Sequence, residues 1–301
     1  MNGIIIIDKP ADWTSHDVVA KLRGALKEKR IGHGGTLDPM ATGVLPIFIG
    51  RATRAAEFCE NTKKEYIAGL KLGITTDTQD ITGKTLHTSD ASISPETLIS
   101  IIPQYLGAIQ QIPPMYSAIK QGGKKLYELA RKGIEIPRPP RDVCIYDIEL
   151  LDSEKSEHKL RIVCSKGTYI RTLCHDIGAT LGCGGTMSSL RRTKVGTYHV
   201  AEAHTLEKVL DTLSTGDITT LIKPIDTIFS EYPAATLDES ETRKCKNGAQ
   251  THCNVPHLSD GKYRFYCPDN EFILFGEVTD GKIKVIKGFW STNHSNPFYD
   301  F

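Results

Sequence analysis

No apolar stretch in this 301-residue chain approaches the roughly 20 residues that a membrane-spanning helix needs. The first hydrophobic run, residues 3–7, is strand-length and begins almost at once. It has no basic region ahead of it and no small-residue cleavage site behind it, so neither an anchor nor a secretory leader is expected. A cytoplasmic protein is the expectation. Charge of one sign is lacking too: 37 Lys and Arg stand against 36 Asp and Glu, a formal net charge of +1. That excludes a bulk polycation, and any nucleic-acid binding must come from local clustering. Eight cysteines are present, but none is paired as C-x2-C or C-x4-C, the spacings that bring two thiolates to one tetrahedral ion. Cys245, Cys253 and His257 fall near each other without the hairpin spacing of a structural zinc. Free, mostly buried thiols and no metal are therefore expected. No Gly-Lys-Ser/Thr follows Gly34-Gly35, so a nucleotide-binding P-loop is poorly supported. Internal repeats, low-complexity segments and sustained heptads are absent, and the default expectation is a monomer.

The composition that remains, 39% hydrophobic and 24% charged, is that of a globular chain able to bury a sizeable core. The strand 4–7 runs into the turn signal Asp8-Lys9-Pro10. Ser15 then reads as the N-cap of a helix carrying Val18, Val19, Leu22 and Leu26 at helical spacing. A short helix is expected around 53–60, a strand over 66–72, and a turn-rich region over 73–83. Ser94-Pro95 reads as a cap with Pro at the first helical position, and Pro103 should shorten that helix. Strands are expected over 143–151 and 159–165, then an amphipathic helix over 169–181 ending at Gly182. After about residue 230 the texture changes to short strands at 263–267, 271–278 and 282–289 joined by Pro-Asp-Asn and Thr-Asp-Gly turns. A small β-rich second domain is expected to begin near Tyr232-Pro233.

Two segments carry chemistry-bearing residues. In the run from Gly32 to Pro39, Asp38 is either the cap of a helix starting at Pro39 or a carboxylate presented by a glycine-flanked loop, and residue chemistry alone leaves the two nearly balanced. Residues 119–141 carry Lys120, Lys124, Lys125, Arg131, Lys132, Arg138 and Arg141 against Glu128 and Glu135. With Tyr116 and Tyr127 among the cations and Pro137, Pro139 and Pro140 stiffening the end, this stretch suits an RNA-gripping insertion as well as a solvated face. Its centre, 124–132 ending at Gly133, reads as one short helix.

The run Gly32-His33-Gly34-Gly35-Thr36-Leu37-Asp38-Pro39-Met40-Ala41-Thr42-Gly43-Val44-Leu45-Pro46 closely resembles the catalytic segment of the TruB family of pseudouridine synthases. Four further stretches match in the same order: residues 3–10, Lys64-Glu65-Tyr66, residues 113–120 with 123–127, and Ser165-Lys166-Gly167-Thr168-Tyr169-Ile170-Arg171. Together they span residues 3 to about 195. Gly34-Gly35-Thr36 stand where bacterial relatives commonly have Thr-Gly-Ala, while His33, Leu37 and Asp38 keep their spacing.

The resemblance implies an α+β fold: a mixed, largely antiparallel central sheet flanked by helices over residues 1–230, and a reduced, β-rich PUA-like RNA-binding domain plus tail over 231–301. It implies a stand-alone tRNA pseudouridine synthase acting at position 55 of the T loop by base flipping, with no cofactor, no metal and no obligate protein partner. Asp38 matches the nucleophile and Arg171 the arginine that pairs with it. An exposed carboxylate would already be ionised at neutral pH, which removes the need for a partner base. Tyr66 matches the tyrosine that lies against the target base and takes part in removing its C5 proton. Tyr169 and Leu190 match the walls of the uridine pocket, and His33 a histidine that contacts RNA where the base leaves its stack. Asp80 matches a carboxylate near the active-site arginine, and Lys9 shapes the site. The basic stretch matches a flexible thumb that closes on the T loop, with Lys124, Lys125 and Arg131 as RNA contacts. Arg191, Arg192, Lys194, Lys63 and Lys64 are expected to extend the phosphate track, and the two glycines to let RNA approach closely. Two rivals stand beside this: a guide-RNA-dependent subunit of the Cbf5 or dyskerin kind, and a tRNA-folding chaperone whose catalysis is incidental.

Overall fold

The computed structural model describes residues 1–249, 251–253 and 258–291. His257 and residues 292–301 of the tail lie outside them. A ten-stranded sheet organises the first 205 residues. Its main path runs His204–Thr205, Gly3–Lys9, Thr42–Ile49, Gly185–Val195, Lys64–Leu72, Glu157–Cys164, Arg141–Glu154 and Gly107–Gln111. Ile31–His33 pairs with Thr42–Ile49, and Tyr198–His199 with Gly185–Val195. Two of the pairings are parallel and the rest antiparallel, so the sheet is mixed and largely antiparallel as expected.

The strand Lys64–Leu72 shows why the sheet sits where it does. Tyr66, Ala68, Leu70 and Leu72 alternate onto one buried face, where they meet Leu160 and Ile162 from the next strand and Ile170, Leu173 and Ile177 from the helix Ile170–Thr180. The period-2 pattern of the strands and the 3.6-residue pattern of the helix thus close on one another. The helix ends where Gly182 turns left-handed at φ +72°. Pro103 falls in a short 3-10 turn, Ile102–Tyr105, directly after the helix Pro95–Ile101, and shortens it as its missing N–H requires.

Three local expectations shift. The helix Ser15–Leu26 is capped by Thr14, which forms a capping box with Asp17, and not by Ser15. No helix starts at Pro39: a turn closes from the Ala41 N–H to the Asp38 carbonyl, and the chain enters the strand Thr42–Ile49. In the basic stretch only Leu126–Ala130 is helical, because Lys120–Gln121 and Lys124–Lys125 form a small hairpin. Beyond residue 230, Ala234–Thr236, Gly261–Tyr266, Phe272–Thr279, Lys282–Gly288 and Thr251–His252 build a separate five-stranded sheet. Six of the cysteines are buried. No helix among the described residues is long and apolar enough to cross a membrane.

Candidate active site

The loop between Ile31–His33 and Thr42–Ile49 is held from three sides. Ser15, buried at the start of its helix, accepts a hydrogen bond from the Leu37 N–H at 2.9 Å and donates one to the Leu37 carbonyl at 3.3 Å. Arg192, wholly buried, donates to the carbonyls of Val44 at 2.8 Å, Gly35 at 3.0 Å and Thr36 at 3.4 Å. Lys9, also fully buried, donates to the carbonyls of Trp13, Pro10 and Pro39. Backbone that would otherwise leave polar groups unpaired is thereby satisfied by side chains, and Asp38 is fixed between clamps at residues 37 and 39. Burial brings the Lys9 ammonium down to about 8, with Asp38 nearby opposing. Three backbone carbonyls occupy it, in keeping with a shaping role.

Arg171, on the first turn of Ile170–Thr180, grips Asp38 with a fork: Nε lies 3.0 Å from one carboxylate oxygen and Nη2 3.3 Å from the other. Its remaining donors go to the carbonyls of Tyr116 at 2.8 Å and Thr78 at 3.1 Å, with the Asp80 carboxylate 3.7 Å away. The side chain of Arg171 is 5% exposed and that of Asp38 is 35% exposed, so the carboxylate is the accessible end of the pair. It is nonetheless enclosed rather than freely exposed. Burial pushes the Asp38 carboxyl above its usual range, and Arg171 is the chief influence holding it down. The expectation of an exposed, unperturbed aspartate is corrected: the ionised form depends on its arginine. Asp80 is itself fixed by the Thr78 and Thr82 hydroxyls and the Thr82 N–H.

The side chains expected to wall a uridine pocket are placed as follows. Tyr66 and Leu190 belong to the buried cluster that also holds Leu37, Ala41 and Ile170. Burial raises the Tyr66 phenol, with Arg192 opposing. Tyr169 is half-buried at the N-terminus of the Arg171 helix, and Gln111 clamps its backbone from both directions. His33 is held neutral by burial, and its Nδ1 has no partner among the described residues. A cleft of about 630 Å³ adjoins the pair through Gln79, Tyr116 and Thr172 and extends beneath residues 130–138, but does not include Asp38 or Tyr66. Lys124 and Arg131 are exposed and Lys125 half-buried. The Arg131 guanidinium and the Lys125 ammonium lie 5.3 and 5.5 Å from the centre of the Tyr127 ring.

Several basic residues are not where the phosphate track was expected. Arg192 and Lys64 are buried on backbone carbonyls, the latter on Glu60 and Thr62. Arg191 pairs with Asp8 at 2.7 Å. Only Lys63 and Lys194 keep an exposed place. Arg191 and Arg192 are successive residues of Gly185–Val195 and face opposite sides, and a register shift between Arg192 and Lys194 returns Lys194 to the exposed side. One of the two glycines also differs from expectation. A Cβ on Gly34 would lie 2.6 Å from the Cys59 sulfur and 2.9 Å from the Phe48 ring, so this glycine serves close internal packing.

Residues 23–170 match a model described as TruB family pseudouridylate synthase (N terminal domain), and residues 171–230 one described as tRNA pseudouridylate synthase B C-terminal domain. Over 292 residues the chain is 43% identical to tRNA pseudouridine synthase B of Clostridium kluyveri, covering 96% of this chain and 100% of that protein. This chain belongs to the TruB family. A second relative, tRNA pseudouridine synthase B of Alkaliphilus oremlandii, is 44% identical over 293 residues, covering 95% of this chain and 97% of its own. Among solved structures, the crystal structure of a Cbf5-Nop10-Gar1 complex superposes with a TM-score of 0.73 at 26% identity, covering 96% of this chain and 85% of that one. The TruB resemblance read from five ordered motifs is therefore sound.

Ser15, Gln111 and the buried role of Arg192 were not legible. Ser15 carried a signal, a hydroxyl beside a helix start, but that signal equally fits a cap. Gln111 has no local pattern, because its partner lies 58 residues away.

Proposed function

We infer that this protein converts uridine to pseudouridine at position 55 in the T loop of tRNA, acting as a single chain without a guide RNA. The observation that carries the reading is the forked Arg171–Asp38 pair, its carboxylate the accessible end of a buried network. Asp38 is the nucleophile, and Arg171 fixes its direction and keeps it ionised. The target uridine is extruded from its stack at a cost of about a few kcal/mol. It then lies against Tyr66, between Tyr169 and Leu190. The N1–C1′ bond breaks, the uracil turns, and C5 bonds to C1′. The C5 proton leaves, Tyr66 taking part in its removal, and N1 gains a proton, so atoms and electrons balance with no outside reactant. His33 meets RNA beside the extruded base. Lys124, Lys125 and Arg131 grip the backbone, and the small second sheet adds an RNA-binding surface.

The test is to map pseudouridine in an unmodified tRNA transcript after reaction with the purified chain. Signal confined to the T-loop uridine is expected, and Asp38→Asn should abolish it while tRNA binding stays within about twofold, since the substitution removes charge but little volume. A requirement for guide RNA and added proteins would favour the Cbf5-like reading. Product from Asp38→Asn would remove the nucleophile assignment.

A further inference from the structure

Arg192 is the bulkiest side chain that the fold buries completely among the described residues, and it forms no ion pair there. Its visible work is to donate to three carbonyls, which a neutral amide could do in part without the penalty of desolvating a charge. A cation buried at that cost calls for a group that responds to charge. Lys9, Lys64 and His33 lie within its electrostatic reach, and it disfavours their protonated forms. Cys59 and Cys164 are also near, but burial pushes their thiols up to about 12 and about 11, far from use. Tyr66 remains. It sits directly opposite Arg192 in the antiparallel register between Lys64–Leu72 and Gly185–Val195. The same residue, Arg192, is in parallel register with Gly43, where a Cβ would collide with the Arg192 backbone. Arg192 thus links the Asp38 loop, through Gly35 and Thr36, to the strand that carries Tyr66.

We propose that Arg192 is a positioning residue for the isomerisation, its buried guanidinium pinning Gly35 and Thr36 ahead of Asp38 while holding a positive charge against Tyr66. The charge favours the phenolate, the form that accepts the uracil C5 proton; the phenol so formed then passes that proton to solvent, and N1 takes up a proton. Tyr66 is faced by Arg192 from one neighbouring strand, by Cys164 from the other and by Asp38 from the loop. Only the first of these favours ionisation. This inference rests on the Asp38 and Tyr66 roles given above.

The experiment compares Arg192→Lys and Arg192→Met in the full chain, reading single-turnover pseudouridine formation from about pH 7 to 11, so that the scan reaches a phenol that burial raises, together with tRNA affinity and thermal unfolding. In wild type the rate should rise toward high pH as Tyr66 ionises. Arg192→Met should lose at least about tenfold in rate with affinity changed less than about twofold, and its rising limb should move to higher pH. Arg192→Lys keeps the charge and loses the fork, so its rate should fall while the limb stays in place. A merely structural role would lower the melting temperature and the folded fraction but leave the limb of the surviving enzyme unmoved in both variants, and that result would overturn the proposal. Wild-type rate and profile in both variants would do the same. A wild-type chain that makes no pseudouridine would instead remove the functional reading, before any variant is considered.

Discussion

Arg171 illustrates how a single residue couples burial to reactivity. Asp38 sits where burial alone would favour its neutral, unreactive acid, and the arginine fork opposes that. The nucleophilic role proposed for Asp38 requires the carboxylate, so activity should fall as pH drops through an apparent value above the ordinary aspartate figure of about 3.9. Removing the guanidinium lets that value rise further. Arg171→Met should therefore lose activity at neutral pH by about a hundredfold and recover part of it near pH 9, whereas Arg171→Lys should keep the wild-type acid limb. Single-turnover rates across pH check this, and an acid limb in Arg171→Met at or below that of wild type would contradict it. At this scale the Asp38–Arg171 pair was legible because both residues fall in short motifs with fixed spacing. The clamp by Ser15 was not, since a serine before a helix satisfies the same local rule whether its hydroxyl caps that helix or reaches a loop 22 residues on.

The basic stretch is the element whose sequence reading and structure differ most in detail. Its centre, residues 124–132, read as one short helix, yet Gly122 and Gly123, both at positive φ, turn Lys124–Lys125 back onto Lys120–Gln121 and leave only Leu126–Ala130 helical. The cations then divide. Lys124 is exposed, while the Lys125 ammonium lies 3.4 Å from the Tyr127 hydroxyl and the Arg131 guanidinium stacks over its ring. A free lysine contributes one released counterion on binding a phosphate, so Lys124→Ala should lower the slope of log affinity against log salt by about one. Lys125→Ala should lower it less, because its ammonium is already engaged within the protein. Filter binding of tRNA over a salt series distinguishes them, and equal slopes for both variants and wild type would place the RNA elsewhere.

For the molecule as a whole, the change of texture near residue 230 marks where the second sheet begins. It does not mark an energetic boundary. Phe275 of the second sheet stacks on Phe229 at 4.3 Å and meets Phe58 edge-on at 5.7 Å, within one cluster that also contains Ile4, Ile6 and Phe48 of the first sheet. Phe275→Ala should cost about 3–5 kcal/mol. Urea unfolding followed by signals from both sheets should show a single shifted transition. Two transitions, only one of them displaced, would mean that the sheets fold as independent units. Texture reads local turn chemistry, whereas this cluster is made by aromatic residues brought together from positions 48 to 289.

By itself the sequence determined the order and kind of the main elements, the mixed largely antiparallel sheet, the TruB family, and the identity of the carboxylate and arginine that meet in the site. The elements follow from periodicity, a local property of the chain, and the sheet, the family and the pair from the TruB resemblance that five short motifs carry. Only the tertiary structure decided which charges are covered. Arg191 and Arg192 are adjacent and alike in sequence, yet one pairs with Asp8 at the surface and the other is sealed beneath the loop that carries Asp38. Alternation along a strand puts them on opposite faces, but which face is closed depends on a loop that lies about 150 residues earlier in the chain.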